Sequence, residues 1–378
     1  MPPDDELIHA TIDLTAIDHN FRALRSLTRP PTRMMAVVKA NAYGHGAVTV
    51  AETAVAAGAD ALGVARVGEA VALRREGIGI PILVFGHAPA GRAAELIEHG
   101  IAGTVHDVEG AQALSDAARA VGDRVEVHVK IDTGMGRIGL PAEDIDSART
   151  VFELPGLRPT GIYTHFASAD SEDKTFARRQ IQRFQDSVRR LSPHFPPETP
   201  MVRHAANSAA IIDLPEAHFD LVRPGLSLYG LYPSPHQRGR VDLRPAMTLI
   251  SRIVHLKQVP AGFPVSYGST YITAEPTAIA TVPVGYADGY DRLLSSRGRM
   301  LVRGNYAPVV GRVCMDQTMI DVGHIPDAAV GDEVVIIGRR ETGEVSADEI
   351  ADLTGTINYE VVSTITARVQ RRYIRRRE

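Results

Sequence analysis

Between residues 34 and 229, short apolar runs alternate with amphipathic stretches. The runs at 35–39, 61–65, 80–85, 101–105, 124–131, 158–165, 200–205 and 219–222 have strand length. Stretches with helical spacing separate them, among them 68–76, 92–99, 108–121 and 174–191. In the last, Phe176, Ile181, Phe184, Val188 and Leu191 recur at roughly the helical period, which predicts one buried stripe. Eight strand–helix units in series predict a closed parallel (β/α)8 barrel of the TIM type; the count alone also allows an open doubly wound sheet. The pattern changes near 233–240, a linker-like stretch rich in Pro, Ser, Gly and Arg. Beyond it, alternating runs at 248–257, 277–283, 300–302, 306–313, 318–322 and 333–337 predict a second, mostly β domain. The run at 7–14 alternates in the same way and is expected to join that domain. The expected organisation is an N-terminal strand at 1–14, a barrel at 15–235 and a β domain at 236–378.

Composition narrows the class. The 378 residues are 44% hydrophobic and 23% charged, as in an ordinary globular protein, and are enough for about two domains. Lys and Arg total 41 against 45 Asp and Glu, a net charge of -4 that argues against a polyanion partner. The basic tail at 368–377 reads as a solvated last strand with a charged end. The only cysteine, Cys314, allows no intrachain disulfide, fits a reducing compartment and is most simply a small buried hydrophobe. The acidic start lacks the apolar core of a signal peptide, and no run approaches the ~20 apolar residues of a membrane helix. A cytoplasmic protein, with neither nucleic acid nor membrane as partner, is the expectation.

Barrel enzymes build their sites in the loops after the strands. The first strand ends on Lys39, followed by Tyr43 and two glycines. A desolvated ammonium is disfavoured, so such a lysine deprotonates readily and its amine can condense with an aldehyde. The fifth strand leads into Lys130 and a segment in which Gly134, Gly136 and Gly139 match the dinucleotide pattern G-x-G-x-x-G. The match is read as false, because it lies in the fifth unit and runs into Leu140-Pro141 with no acid ~20 residues on. A tight loop that aims Arg137 at a carboxylate is the better reading. His165 with Ser168 and Asp170 follows the sixth strand, Asn207-Ser208 opens a short helix after the seventh, and Arg223-Pro224-Gly225-Leu226 follows the eighth. Loops seven and eight commonly hold phosphate in this barrel. A phosphate there and a reactive lysine opposite suggest pyridoxal 5′-phosphate. No metal site is expected. The β domain adds segments around Tyr286, around Cys314-Met315-Asp316 and around Tyr359. Each taken singly reads as a turn with a packed tyrosine.

Together the segments 36–46, 130–139, 204–209, 222–230, 283–289 and 311–317 resemble the alanine racemase family, in order and over nearly the whole chain. The resemblance implies a pyridoxal phosphate isomerase that interconverts L- and D-alanine and supplies D-alanine for cell-wall peptidoglycan. It implies that Lys39 carries the cofactor and that Tyr286, reaching in from the other subunit of a homodimer, is the second acid–base group. Arg223 would face the pyridine nitrogen with His165 in support. Tyr43, Ser208, Gly225, Leu226 and Tyr359 would bind the phosphate, next to Asn207. Arg137 and the partner-donated Met315 and Asp316 would line the substrate side, and Lys130 matches a position that can be N-carboxylated. Rival readings are a decarboxylase of the same two-part design, a non-catalytic pyridoxal phosphate carrier and a cofactor-free phosphate-binding isomerase. A decarboxylase would be expected to set an acid where Arg223 stands.

Overall fold

Eight parallel strands close on themselves in the first two-thirds of the chain. The computed structural model describes residues 7–197 and 200–376, so the acidic start and Arg377 lie outside the described residues. Compactness divides the chain into two units. One comprises Ala16–Ala42 and Ala47–Arg244; the other comprises Met1–Thr15, Tyr43–Gly46 and Pro245–Glu378.

After an N-terminal strand β1 (Ile8–Asp13), the first unit contains β2 (Arg33–Val37), β3 (Ala61–Val64), β4 (Ile82–His87), β5 (Ile101–Val105) and β6 (Val125–Asp132). A two-residue strand β7 (Leu140–Pro141), then β8 (Leu157–Tyr163), β9 (Val202–His204) and β10 (Leu221–Val222) complete it. Parallel pairings run β2-β3-β4-β5-β6-β8-β9-β10 and return to β2, so the sheet is a closed eight-stranded barrel with β7 appended to β6. The open-sheet alternative is thereby excluded. Strands buried on both faces need continuous apolar runs, and β3 and β5 are buried at every residue. Met35, Ala61, Leu83, Ala102 and Leu221, one from each of five strands, form a packed cluster. The helices carry their own start and stop signals: Asp107 accepts from Gly110 N at 2.6 Å to cap Val108–Val121, which ends on Gly122 at φ 88°.

The helix Thr175–Leu191 buries Ala177, Gln180, Ile181, Phe184, Ser187 and Leu191. The stripe thus runs through 177, 180, 184, 187 and 191. Phe176, expected within it, is one position off and 40% exposed, and its ring lies over the backbone of Gly134.

The second unit contains β1 and the later strands β11 (Met247–Arg252), β12 (His255–Val259), β13 (Pro264–Val265), β14 (Tyr271–Ile272), β15 (Thr277–Val282), β16 (Arg299–Val302) and β17 (Asn305–Pro308). They are followed by β18 (Thr318–Asp321), β19 (Glu333–Arg340), β20 (Gly343–Val345) and β21 (Gln370–Ile374). The main sheet has the order β17-β16-β19-β11-β1-β21, with β20 on β19. β1 runs antiparallel to β11 and parallel to β21. A three-stranded sheet β12-β15-β18 packs its own apolar cluster of Val259, Val265, Ile279 and Val310. The run at 248–257, expected as one strand, is two strands in different sheets. Ile253 N–H bonds to Asp332 O and Val254 N–H to Thr281 O, so the chain changes sheets between β11 and β12. Among the described residues no helix is long and apolar enough to cross a membrane.

Candidate active site

Lys39 follows a buried run. Val37 N–H bonds to Pro224 O, Val38 N–H to Gly63 O, and the Tyr229 hydroxyl donates to Val37 O at 2.8 Å. The strand ends at Val37, and Lys39 opens a turn in which Ala40, Asn41, Ala42 and Tyr43 all have φ near +50°. Left-handed backbone costs roughly 1–2 kcal/mol per residue without glycine, and such strain persists only where surroundings impose it. Here Ala40 N–H donates to Glu69 Oε1 at 2.7 Å and Ala47 N–H to Asn41 Oδ1 at 2.9 Å. Burial pushes the Lys39 amine below its ordinary range; the Arg137 charge adds to this and Glu69 opposes it.

The end of β6 supplies Lys130 and Asp132. Lys130 is only 3% exposed, its ammonium 5.5 Å from the centre of the Tyr163 ring. Burial first, then repulsion from Arg137 and Arg223, brings its pKa down to about 8. Asp132 turns the following loop: Oδ1 accepts from Gly134 N and Met135 N at 2.8 Å, and Oδ2 from Gly136 N at 2.9 Å. Partial burial works to raise its pKa, but these amides outweigh it and hold the carboxyl low. Because the Gly134 and Gly136 amides are spent on Asp132, they are not offered to a dinucleotide phosphate. Gly139 lies at φ +133°, and a Cβ there would stand 2.7 Å from Asp132 N, closer than any real Cβ tolerates. Arg137 rides on this loop, exposed.

Arg223 is 4% exposed and held by neutral acceptors. Its Nη2 donates to Ala205 O at 2.9 Å, Thr164 O at 3.0 Å and His165 Nδ1 at 3.3 Å, and its Nη1 donates to His204 Nδ1 at 2.9 Å. Burial lowers its pKa to about 10, and burial with the Arg223 charge keeps His165 neutral. Asn207 caps the helix Ser208–Asp213 by accepting from Ala210 N. Ser208 Oγ accepts from Gly225 N at 2.9 Å and Ser227 N at 3.2 Å. With both lone pairs occupied, the hydroxyl has only its proton left to offer. Ser227 Oγ, on the same turn as Leu226, is buried and without a hydrogen-bond partner.

The first unit therefore brings together Lys39, Lys130, Arg137, His165 and Arg223, with Asn207, Ser208, Gly225 and Leu226 on adjoining turns. The second unit gathers the rest into two places. Tyr286 N–H bonds to Cys314 O and Ala287 N–H to Met315 O, which sets Tyr286 beside Met315 and Asp316. A Cβ on Gly285 would lie 2.2 Å from Met315 O, so this approach requires glycine. Asp288 Oδ2 accepts from Gly285 N, and Arg368 pairs with both Asp288 (3.5 Å) and Asp316 (2.8 Å). Tyr286 is 41% exposed, so it is not a packed core tyrosine; Tyr290 in the same segment is, at 3%. Cys314 is half-buried rather than buried. Tyr43 and Tyr359 form the second place, their ring centres 6.3 Å apart.

Sequence reasoning missed Tyr163, His204, Glu69 and Arg368. Tyr163 and His204 end β8 and β9, but the apolar runs at 158–165 and 200–205 extend past them, so the strand-end rule led to His165 instead. Glu69 and Arg368 had no such signal, since each acts from a helix or loop distant in sequence.

Family models for the alanine racemase N-terminal and C-terminal domains match residues 12–233 and 246–373. The alanine racemase of Desulfosudis oleivorans is 54% identical over 375 residues, covering 96% of each chain. That of Desulforamulus reducens is 49% identical over 372 residues, covering 98% of this chain and 99% of the relative. Among solved structures, alanine racemase from D-cycloserine-producing Streptomyces lavendulae matches with a TM-score of 0.91 at 42% identity, covering 99% of this chain and 98% of its own. Alanine racemase from Clostridium difficile 630 matches with a TM-score of 0.92 at 39% identity, covering 98% and 96%. Identity at this level over nearly the full length leaves one conclusion: this chain belongs to the alanine racemase family, isomerases dependent on pyridoxal 5′-phosphate.

Proposed function

We propose that this chain interconverts L- and D-alanine with Lys39 and Tyr286 as the two acid–base groups, in a homodimer whose two sites each draw on both copies. The observation that carries the proposal is Lys39, a strand-end amine whose charge is disfavoured by burial and by Arg137. The surrounding residues fit the cofactor. Lys39, Lys130, Arg137 and Arg223 make the barrel mouth cationic, and Arg223 is held by neutral groups, which suits a ligand bearing a phosphate. The Ser208 hydroxyl, with a proton to donate, and the unpartnered Ser227 hydroxyl suit phosphate oxygens. Lys39 would hold the aldehyde end, and Ser208, Gly225, Leu226, Asn207, Tyr43 and Tyr359 the phosphate end.

Bound there, the cofactor supplies an electron sink that acidifies the alanine Cα–H. Racemisation then needs a proton taken from one face and returned to the other. The Lys39 amine serves one face and the Tyr286 hydroxyl of the second copy the other, each such group being worth typically ~10²–10⁴-fold. Arg137 binds the substrate carboxylate through paired N–H donors, with Met315 and Asp316 closing the substrate side. Arg223 can only donate, so a ring nitrogen within its reach stays unprotonated. Arg223 would thereby limit side reactions, which disfavours the decarboxylase reading. Lys130, with its pKa near 8, has a neutral fraction able to attack CO2; the N–C bond forms, one proton leaves to solvent, and the carbamate places an anion among Arg137, Arg223 and Lys39. The product D-alanine would serve cell-wall synthesis in the cytoplasm.

Exposed apolar side chains support the homodimer. Among the described residues, ten of the twelve large exposed hydrophobics lie in the second unit, among them Tyr267 (71%), Ile272 (60%), Met315 (52%) and Tyr286 (41%). The Ser266 hydroxyl donates to Arg312 O, which ties the Tyr267 turn to the segment leading into Met315, and exposed apolar side chains on adjoining segments suit a partner surface. Chiral chromatography of L-alanine incubated with wild type and Lys39→Ala, with and without pyridoxal phosphate, tests the reaction. Borohydride reduction and peptide mass mapping test the attachment. Racemisation by wild type only, with the label on Lys39, is expected; a label elsewhere, or full activity in Lys39→Ala, overturns the proposal.

A further inference from the structure

One imidazole inside the barrel has no part in the steps above. His128 lies on β6, two residues before Lys130, so strand alternation sends both side chains to the same face. It is buried, and its neighbour across the sheet is Gly161 on β8. A Cβ on Gly161 would stand 2.6 Å from His128 Nδ1, so β8 makes room for the ring by carrying no side chain there. His128 Nδ1 is 2.8 Å from His204 Nε2. His204 in turn is stacked under Tyr163, ring centres 4.7 Å apart and planes within 3°, and its Nδ1 is 2.9 Å from Arg223 Nη1.

The proton positions in this chain follow from chemistry. A guanidinium has donors only, so His204 Nδ1 must accept. Burial and the Arg223 charge keep His204 neutral, so its single ring proton is on Nε2. That N–H points at His128 Nδ1, which therefore accepts. Burial keeps His128 neutral as well, with a pKa pulled down to about 3, so its proton is on Nε2. Both rings thus share one tautomer, dictated from the Arg223 end and completed at His128.

We infer that His128 is a positioning residue: by accepting from His204 Nε2–H it locks the tautomer that lets Arg223 be held in place. Without that acceptor, the His204 Nε2–H is buried and unpaired, so the Nε2 tautomer loses its advantage over the Nδ1 tautomer, whose proton would oppose an Arg223 N–H at 2.9 Å. Two donors at that distance repel, and the guanidinium must turn away. The inference rests on the proposed contact of Arg223 with the cofactor ring.

The test compares wild type, His128→Leu and His128→Asn, labelled with [15N]histidine. Asn offers its Oδ1 where the Nδ1 acceptor stood. Long-range 1H–15N spectra report the His204 tautomer, and fluorescence titration reports pyridoxal phosphate affinity. Wild type should show His204 protonated on Nε2, with or without cofactor. His128→Leu should shift it towards Nδ1 and weaken cofactor binding about five- to tenfold, the loss expected for one buried hydrogen bond. His128→Asn should restore both. A wild-type His204 protonated on Nδ1 overturns the inference even if neither variant folds. So does an unchanged tautomer in folded His128→Leu, an unchanged affinity beside a changed tautomer, or an Asn variant no better than Leu. Failure of the Lys39 assignment would show instead as a missing borohydride label, while the tautomer of the cofactor-free protein would stay on Nε2.

Discussion

Lys130 is a cation that the barrel solvates poorly, and this has a consequence for stability. Its pKa is about 8 in the folded protein, against about 10.4 for a lysine in an unfolded chain. Between those values the unfolded chain binds more protons, so stability rises with pH there; below 8 the penalty is fully present. In carbonate-free buffer Lys130→Met should therefore melt higher than wild type at pH 7, and the gain should shrink towards zero as the pH approaches 10.5. A difference in Tm that ignores pH would show that the charge is not its cause. Gly44 poses a steric demand instead. At φ +83°, a Cβ there would sit 2.2 Å from Val362 O. Gly44→Ala should cost about 2–4 kcal/mol in urea unfolding, combining backbone strain with a clash against main chain; a midpoint within error of wild type would refute this. The residues most visible in the sequence were those whose type conflicts with their place, such as a lysine closing an apolar run. The acceptors around Arg223 were less visible, because a histidine ending a strand is as often packing as chemistry.

Elements were legible where pattern alone decides them. All eight barrel strands lie where apolar runs end in loop signals, with boundaries shifted by a few residues, since hydrogen bonding rather than hydrophobicity sets the last residue. The run at 248–257 was misjudged because alternation continues across the change of sheet, and nothing in the side chains marks the corner. The helix Thr175–Leu191 shows what period alone leaves out: its buried face includes Gln180. Gln180 Oε1 accepts from Ala167 N at 3.0 Å, and its Nε2 donates to His165 O at 3.1 Å and Thr133 Oγ1 at 3.2 Å. Thr133 Oγ1 also meets Thr164 Oγ1 at 2.8 Å. One side chain on a supporting helix thus joins the loop that carries Arg137 to the loop that carries His165. Gln180→Leu takes this partner from the Ala167 N–H and the His165 carbonyl, leaves Thr133 Oγ1 only Thr164, and should cost about 2–4 kcal/mol. It should also raise KM for alanine more than it lowers kcat, because Arg137 is the group displaced. Denaturant unfolding with steady-state kinetics checks both, and an unchanged KM would mean that the Arg137 loop holds itself.

For the molecule as a whole, the proposed chemistry needs Lys39 and Tyr286 from different copies, and this separates two otherwise similar accounts. If each chain completed its own site, mixing Lys39→Ala with Tyr286→Phe would leave every site defective. If the site is shared, a mixed dimer pairs the intact Lys39 of one chain with the intact Tyr286 of the other, while its second site carries both lesions. Random reassortment makes about half of the dimers mixed, each with one working site of two, so about a quarter of wild-type activity should return. Both variants should fold as wild type does: Tyr286 is exposed, and Lys39→Ala removes a charge that burial disfavours. The two proteins should be unfolded and refolded together, or co-expressed with distinct tags and purified on both, so that exchange is not limiting. Activity that stays at the level of the separate variants, in a sample shown by tag capture to contain mixed dimers, would mean that the exposed phenol of Tyr286 acts within its own chain or not at all. The exposed apolar side chains of Tyr267, Ile272 and Met315 would then need another partner.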